Sequence, residues 1–205
     1  MKKYLIFDFN GTICDDVALS LKIINKLLFK YKIRSELTLN EYKHIFTFPV
    51  SEYYLKLGFK EVDLNNISKE WYNLYLKNLK SIKIYKGLRE FIIKAKEKNY
   101  TIVILSACEI KLLNDSLDYL GIKDEFDLVL GINDIYANSK MELAREFIKN
   151  NKGEYYLVGD TLHDLEIARM INAKCYLVTY GHNSKEVLSK KHDLIYDDLS
   201  EIVLD

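Results

Sequence analysis

Two rhythms of apolar and polar positions alternate along the chain. Short unbroken apolar runs stop abruptly at a polar residue, and between them lie longer stretches in which apolar residues recur every three or four positions. Tyr4 to Phe7 is the first such run, closed by Asp8, and Asn10-Gly11 then forces a turn. Runs of this kind read as buried parallel strands, and the periodic stretches read as amphipathic helices. Leu19, Ile23 and Leu27 predict a helix over Val17 to Tyr31, with Asp15 or Asp16 as its cap. Thr38 followed by Glu41 forms a capping box for a second helix, which must stop before Pro49. Further helices are predicted over Glu52 to Leu57 and Ile67 to Leu79. No convincing strand falls between residues 15 and 81.

From Tyr85 the rhythm changes. A helix over Leu88 to Lys98 leads to a strand over Tyr100 to Leu105, a helix over Ile110 to Leu120 and a strand within Phe126 to Gly131. The helix Lys140 to Asn150, the strand Tyr155 to Val158, the helix Leu165 to Ile171 and the strand Cys175 to Val178 follow. Asp193 to Tyr196 adds an edge strand, and Leu199 to Val203 a last helical turn. Strands alternating with helices of this length imply βαβ units with right-handed crossovers. The expected fold class is α/β: a Rossmann-like parallel sheet core with helices on both faces and an inserted helical bundle. The core is expected to comprise residues 1–14 and 82–205, and the bundle residues 15–81.

Composition narrows the possible partners. The 205 residues are 49% hydrophobic, enough for one core of ordinary size and a small accessory domain. Thirty basic and thirty acidic residues cancel, so no long-range field advertises nucleic acid or an anionic membrane. The basic-then-apolar start, Met1 to Phe9, is too short for a signal peptide and is broken by Asp8. No stretch approaches the roughly 18 to 20 apolar residues that a membrane span needs. The cytoplasm is the expected compartment. Cys14, Cys108 and Cys175 are widely spaced, lack a metal-ligand pattern and read as buried thiols in a reducing environment.

The candidate chemistry lies where the strands stop. Polar clusters at the carboxyl ends of parallel strands are where open α/β sheets bind ligands. In order they are Asp8 with Asn10, Gly11 and Thr12, then Ser106, then Lys140, then Gly159 to Asp164. Each has a plainer explanation when taken alone: Asp8 as a turn former, Ser106 as a helix cap, Lys140 as a solvated helix residue, Thr12 as a cap of the turn.

In this order and spacing they resemble the motif series of the haloacid dehalogenase-like hydrolase superfamily. Tyr85-Lys86-Gly87 and Gly181-His182 extend the resemblance over nearly the whole chain. The helical insert resembles the cap of the phosphoglycolate phosphatase and β-phosphoglucomutase branch. The resemblance implies a nucleophile strand at the sheet centre, a closing cap and magnesium-dependent hydrolysis of a small phosphorylated metabolite. Asp8 would be the nucleophile, and Asp8, the main-chain carbonyl of Asn10, Asp160 and Asp164 would serve Mg2+. Ser106, Ala107, Gly11 and Thr12 would hold phosphate, and Lys140 would balance its charge.

Asn10 departs from that pattern. The family's phosphatases usually carry an aspartate there, which donates a proton to the leaving alcohol, and an amide cannot do so near neutral pH. Losing general acid–base help costs roughly 10²- to 10⁴-fold in rate, most severely for a basic alkoxide. Three readings stay open: a natural phosphatase using another proton route, an enzyme limited to activated phosphates or a near-inactive phosphate-ligand binder, and an engineered Asn variant of an active phosphatase. His163 and His182 are the candidate proton carriers. A phosphomutase would need the missing aspartate, and a dehalogenase has no use for Lys140 with Asp160 and Asp164. Substrate selection falls to the cap, where Arg34, Lys43, His44, Thr47 and Tyr53 are candidates and Phe48-Pro49-Val50 forms an apolar wall. The aromatic residues at 53, 54, 71, 72 and 75 read more simply as the cap's own core than as a substrate platform. Monomer and homodimer are equally compatible with the sequence.

Overall fold

The computed structural model describes residues 1–205. Six strands form one parallel sheet: β1 (Lys3–Phe7), β4 (Tyr100–Glu109), β5 (Leu128–Ile132), β6 (Glu154–Gly159), β7 (Lys174–Val178) and β8 (Ile195–Tyr196). Their order is β5-β4-β1-β6-β7-β8. The first strand therefore lies inside the sheet, paired on both edges, and Asp8 emerges between β4 and β6. Its backbone N–H donates to the Val158 carbonyl at 2.9 Å, which carries the sheet bonding one residue past the strand.

The two faces of β1 illustrate how the layers form. Leu5 and Phe7 point into a large core shared with the helical segment, while Tyr4 and Ile6 point into a smaller one on the opposite face. Alternate residues of a strand face opposite sides, so an uninterrupted apolar run requires cover on both. That cover comes from α5 (Leu88–Glu97) and α6 (Ile110–Leu120) on one side, and from α7 (Met141–Asn150) and α8 (Leu162–Met170) on the other. The short helix α9 (Lys185–Ser189) precedes β8. The chain has the α/β fold expected from its pattern.

Between β1 and α5 the chain leaves the sheet through β2 (Cys14–Asp15) and returns through β3 (Lys83–Ile84), which pair antiparallel. Four helices lie between them: α1 (Val17–Lys30), α2 (Leu39–Ile45), α3 (Val50–Lys56) and α4 (Leu64–Lys77). The Thr38–Glu41 capping box that opens α2 is present in both directions. These helices are tied to the sheet's loops by polar contacts. Lys43 Nζ donates to the Thr179 and Tyr180 carbonyls at 3.3 and 3.0 Å, and Asn183 Nδ2 donates to the Phe46 carbonyl at 2.9 Å.

Several element boundaries, and one cap, depart from those the sequence predicts. The strand expected to stop at Leu105 continues to Glu109, with its register shifted between those residues. Ser106 is therefore part of the strand's end rather than a helix cap, and Glu109 caps α6 by accepting from the N–H groups of Lys111 and Leu112, each at 2.9 Å. The helix expected from Leu165 begins at Leu162, because Thr161 and Asp164 form a second capping box. Asp16 occupies the N-cap position of α1 but makes no capping bond; its carboxylate is used elsewhere.

Candidate active site

Four strand ends bring Asp8, Ser106, Lys140, Asp160 and Asp164 together. Lys140 sits immediately before α7, only 2% exposed, and its ammonium lies between Asp8 and Asp164. It bonds Asp8 Oδ1 and stands 2.7 Å from Asp164 Oδ1. Carboxylate oxygens of Asp8, Asp160 and Asp164 all lie within 4.8 Å of one another. Two of the three clustered acids thus share one buried ammonium.

Each acid is oriented by groups fixed in the fold. Asp160 accepts from Thr12 Oγ1 at 2.8 Å and from the His182 backbone N–H at 2.6 Å. Asp164 Oδ2 accepts from the Thr161 hydroxyl at 2.6 Å and from the Asp160 and Thr161 backbone N–H groups at 3.2 and 3.0 Å. The loops pack so closely here that glycine is required. Gly11 has φ +77°, and a Cβ there or at Gly181 would collide with the Asp160 carboxylate.

The excess negative charge shifts the titrations. Burial pushes the Asp8 carboxyl up to about 8; Lys140 opposes that rise, and Asp164 and Asp160 reinforce it. Burial likewise lifts Asp160 to about 6, with the His182 charge opposing and Asp164 adding to the rise. Burial also acts to raise Asp164, but the Lys140 ammonium outweighs it and holds Asp164 below the usual carboxylate range. Such a cluster fits a hard divalent cation, which takes oxygen ligands and would relieve this repulsion. Asp164 Oδ1 has no hydrogen-bond donor of proper geometry, only the Lys140 charge, and the Asn10 carbonyl accepts none of the loop hydrogen bonds.

The sequence matches the family model described as haloacid dehalogenase-like hydrolase over residues 5–178, most of the chain, including Asp8, Ser106, Lys140, Asp160 and Asp164. The chain belongs to the haloacid dehalogenase-like hydrolase family. Among curated proteins, the probable phosphatase IndB of Dickeya dadantii (strain 3937) is 28% identical over 126 residues, 58% of this chain and 54% of that protein. The match thus spans about half the length of that relative. A predicted phosphatase from Clostridium acetobutylicum superposes with a TM-score of 0.84 at 19% identity, covering 98% of this chain and 96% of that one. A predicted phosphoglycolate phosphatase from Haemophilus somnus 129pt gives 0.77 at 18% identity, with coverages of 98% and 96%. Both structures share the fold.

In this family member a cavity of about 110 Å³ opens above Asp8. A single water needs roughly 10–15 Å³ of such space, so the cavity suits a small ligand. Asn10 borders it but faces sideways: its Nδ2 donates to Asp16 Oδ2 at 2.7 Å and to the Tyr75 hydroxyl at 3.1 Å. Asp16, fully buried, also accepts from the Gly11 N–H at 3.0 Å and from the Tyr75 hydroxyl at 3.0 Å, and stands 3.4 Å from His182 Nε2. Burial alone would raise the Asp16 carboxyl, yet the His182 contact and these donors hold it low. Burial likewise disfavours the His182 imidazolium, and Asp16 more than offsets that. The sequence reading took Asp16 only as a cap; its one signal was a second acid directly after Asp15.

The remaining candidates divide cleanly. Ser106, Ala107, Tyr53 and His182 line the cavity, as do Phe48 and Val50 of the expected apolar wall. Thr12 is absent from the lining because its hydroxyl is given to Asp160. Arg34 pairs with Glu41 at the surface at 2.9 Å, His44 Nδ1 meets the Asn40 carbonyl at 2.8 Å, and the Thr47 hydroxyl turns to the Phe48 carbonyl at 3.4 Å. None of these three reaches the cavity. His163 stacks on Phe48 with ring centroids 4.8 Å apart and lies behind the lining. Its burial, and then the Lys140 charge, depress its imidazolium. Tyr53 packs on Tyr54 and Trp71 on Tyr75, and all four, with Tyr72, also face the cavity. Cys14 and Cys175 are buried, whereas Cys108 is half-buried in the cavity wall.

Proposed function

We propose that this protein is a magnesium-dependent phosphatase acting on a small phosphorylated metabolite, with residues 15–81 as the cap over a core of residues 1–14 and 82–205. The observation that carries this reading is the convergence of Asp8, Asp160 and Asp164 on one locus with Lys140 bridging two of them.

Asp8 supplies the carboxylate oxygen that attacks phosphorus, giving an aspartyl phosphate as the ester oxygen departs. Lys140 neutralises both the nucleophile and the arriving phosphoryl oxygens. The Ser106 oxygen accepts from the Cys108 N–H at 3.0 Å, which leaves the hydroxyl proton free to point at a phosphate oxygen. Asp8, the Asn10 carbonyl and Asp160 would hold Mg2+, with Asp164 orienting its waters. That ion supplies charge neutralisation and keeps the Asp8 carboxyl ionised near neutral pH. Water then attacks the acyl phosphate and restores Asp8.

Asn10 gives this enzyme no carboxylic acid at the usual position, and its amide protons go to Asp16 and Tyr75. Turnover of alkyl phosphates is therefore expected to lag behind that of activated ones by roughly 10²-fold or more. The test is magnesium-dependent phosphate release from small sugar and carboxylic-acid phosphates, nitrophenyl phosphate and acetyl phosphate, with Asp8→Asn as the blank. Release should vanish in the blank and on chelation. Release that survives in Asp8→Asn would refute the assignment.

A further inference from the structure

The cavity above Asp8 has an unusual lining for a site that must take a charged substrate. Sixteen of its 25 lining residues are hydrophobic, and no lysine or arginine is among them. Phe46, Phe48, Tyr53, Trp71 and Tyr72 supply most of the wall away from the nucleophile. Cations of the surrounding helices are spent elsewhere: Arg34 on Glu41, Lys43 on the Thr179 and Tyr180 carbonyls. The charged groups that do border the space beyond Asp8 are Asp16 and Glu109, with His182 tied to Asp16. A carboxylate or second phosphate on the substrate would lose its water there, find no counter-charge and face two acids.

The same two acids are poor traps for a cation. Asp16 is saturated by Asn10, Gly11, Tyr75 and His182, and Glu109 accepts from the Lys111 and Leu112 N–H groups and from the Tyr72 hydroxyl at 3.1 Å. Tyr53 lines the cavity, and its buried hydroxyl has no hydrogen-bond partner in the protein. A flat ring with a single polar substituent matches these walls, since aromatic faces and edges prefer one another. The geometry at Asn10 points the same way, because an aryl oxide departs without a proton far more readily than an alkoxide.

We propose that the substrate is the phosphomonoester of an uncharged aromatic alcohol of about one ring, an aryl phosphate rather than a carboxylate-bearing one such as phosphoglycolate. The proposal rests on the phosphatase reading for its chemistry and on the cavity wall for its specificity. Asp8 attacks phosphorus, the bond from phosphorus to the aryl oxygen breaks with its electron pair on that oxygen, and solvent protonates the phenolate. Water then cleaves the aspartyl phosphate to inorganic phosphate and free Asp8.

Two measurements on the full chain with Mg2+ separate specificity from chemistry. Calorimetry with phenylphosphonate and phosphonoacetate, neither of which can be hydrolysed as an ester, reads the wall alone; phenylphosphonate should bind at least about tenfold more tightly. Turnover of benzyl phosphate, phosphoglycolate and phosphocholine, all esters of alkyl alcohols, removes the advantage of an activated leaving group. Benzyl phosphate should lead in kcat/KM by about tenfold or more. Equal or tighter binding of phosphonoacetate, or a preference for phosphoglycolate, would overturn the aromatic assignment and leave the phosphatase reading intact. A preference for phosphocholine would overturn it in favour of a cationic alcohol. Tighter phenylphosphonate binding without phosphate release from any ester would uphold the ligand class and sink the phosphatase reading.

Discussion

The floor and the walls of the cavity are built on different principles. The floor is Asp8, and behind it stand Asp160 and Asp164, fixed by backbone donors: two N–H groups on Asp164 and one on Asp160. The walls are aromatic, come largely from α2, α3 and α4, and are held by ring packing and a few bonds to loops. Backbone donors in short loops anchored to strand ends hold their geometry, whereas packed rings exchange shape for one another at modest cost. On the proposed reading, the floor sets the chemistry at phosphorus and the walls set the substrate.

The strongest way to break the floor is to remove its buried lysine. Lys140→Ala leaves Asp8 and Asp164 without their shared ammonium, and losing one member of a buried pair costs about 3–5 kcal/mol. Thermal melts without metal should fall accordingly, and Mg2+ should recover part of the loss. A Tm indifferent to Lys140→Ala would contradict the charged Lys140–Asp164 pair.

A smaller effect follows from the raised carboxyls. Asp8, near 8, and Asp160, near 6, bind protons in the folded chain that they would release when unfolded, where an Asp titrates near 3.9. Their contribution to metal-free stability is thus lost progressively as pH rises from about 4 through 8, by the sign of proton linkage. Mg2+ needs the ionised forms, so its protection tightens over that same span. The difference in Tm with and without Mg2+ should widen from about pH 5.5 to pH 8. Asp8→Asn should flatten that dependence, and a gap independent of pH would contradict the assigned charges.

The smallest effect belongs outside both regions. Arg34→Ala removes an exposed pair with Glu41, which solvent screens, and should leave Tm and kcat/KM for every substrate nearly unchanged. A changed substrate preference would mean that the helical segment moves Arg34 into the cavity during turnover.

This division also explains what the sequence could disclose. Asp8, Ser106, Lys140 and Asp160 stand beside strand ends or element starts, where a polar residue interrupts an apolar pattern and no core requires it. Asp164 is harder to see, because its place in the first turn of α8 is equally that of a capping acid, and it serves both purposes. The walls are legible only in part: Phe48, Val50 and Tyr53 line the cavity as expected, but the aromatic residues of the helices are ambiguous. Tyr53, Trp71, Tyr72 and Tyr75 recur at helical spacing, and that spacing is the same whether the rings face one another or a ligand. Asp16 was masked by its position, since an acid before a helix is already explained by capping. Only its three-dimensional partners reveal that its carboxylate turns away from α1 to Asn10 and Tyr75.

The Asn10–Asp16 contact also bears on how this sequence can change over time. The amide at position 10 donates to Asp16 across 2.7 Å, a bond that an ionised aspartate could not make. An aspartate at position 10 would instead set a second carboxylate against the buried Asp16, which His182 already pairs with. The two positions are therefore coupled: Asn10→Asp combined with Asp16→Asn should cost less stability than the sum of the two single changes.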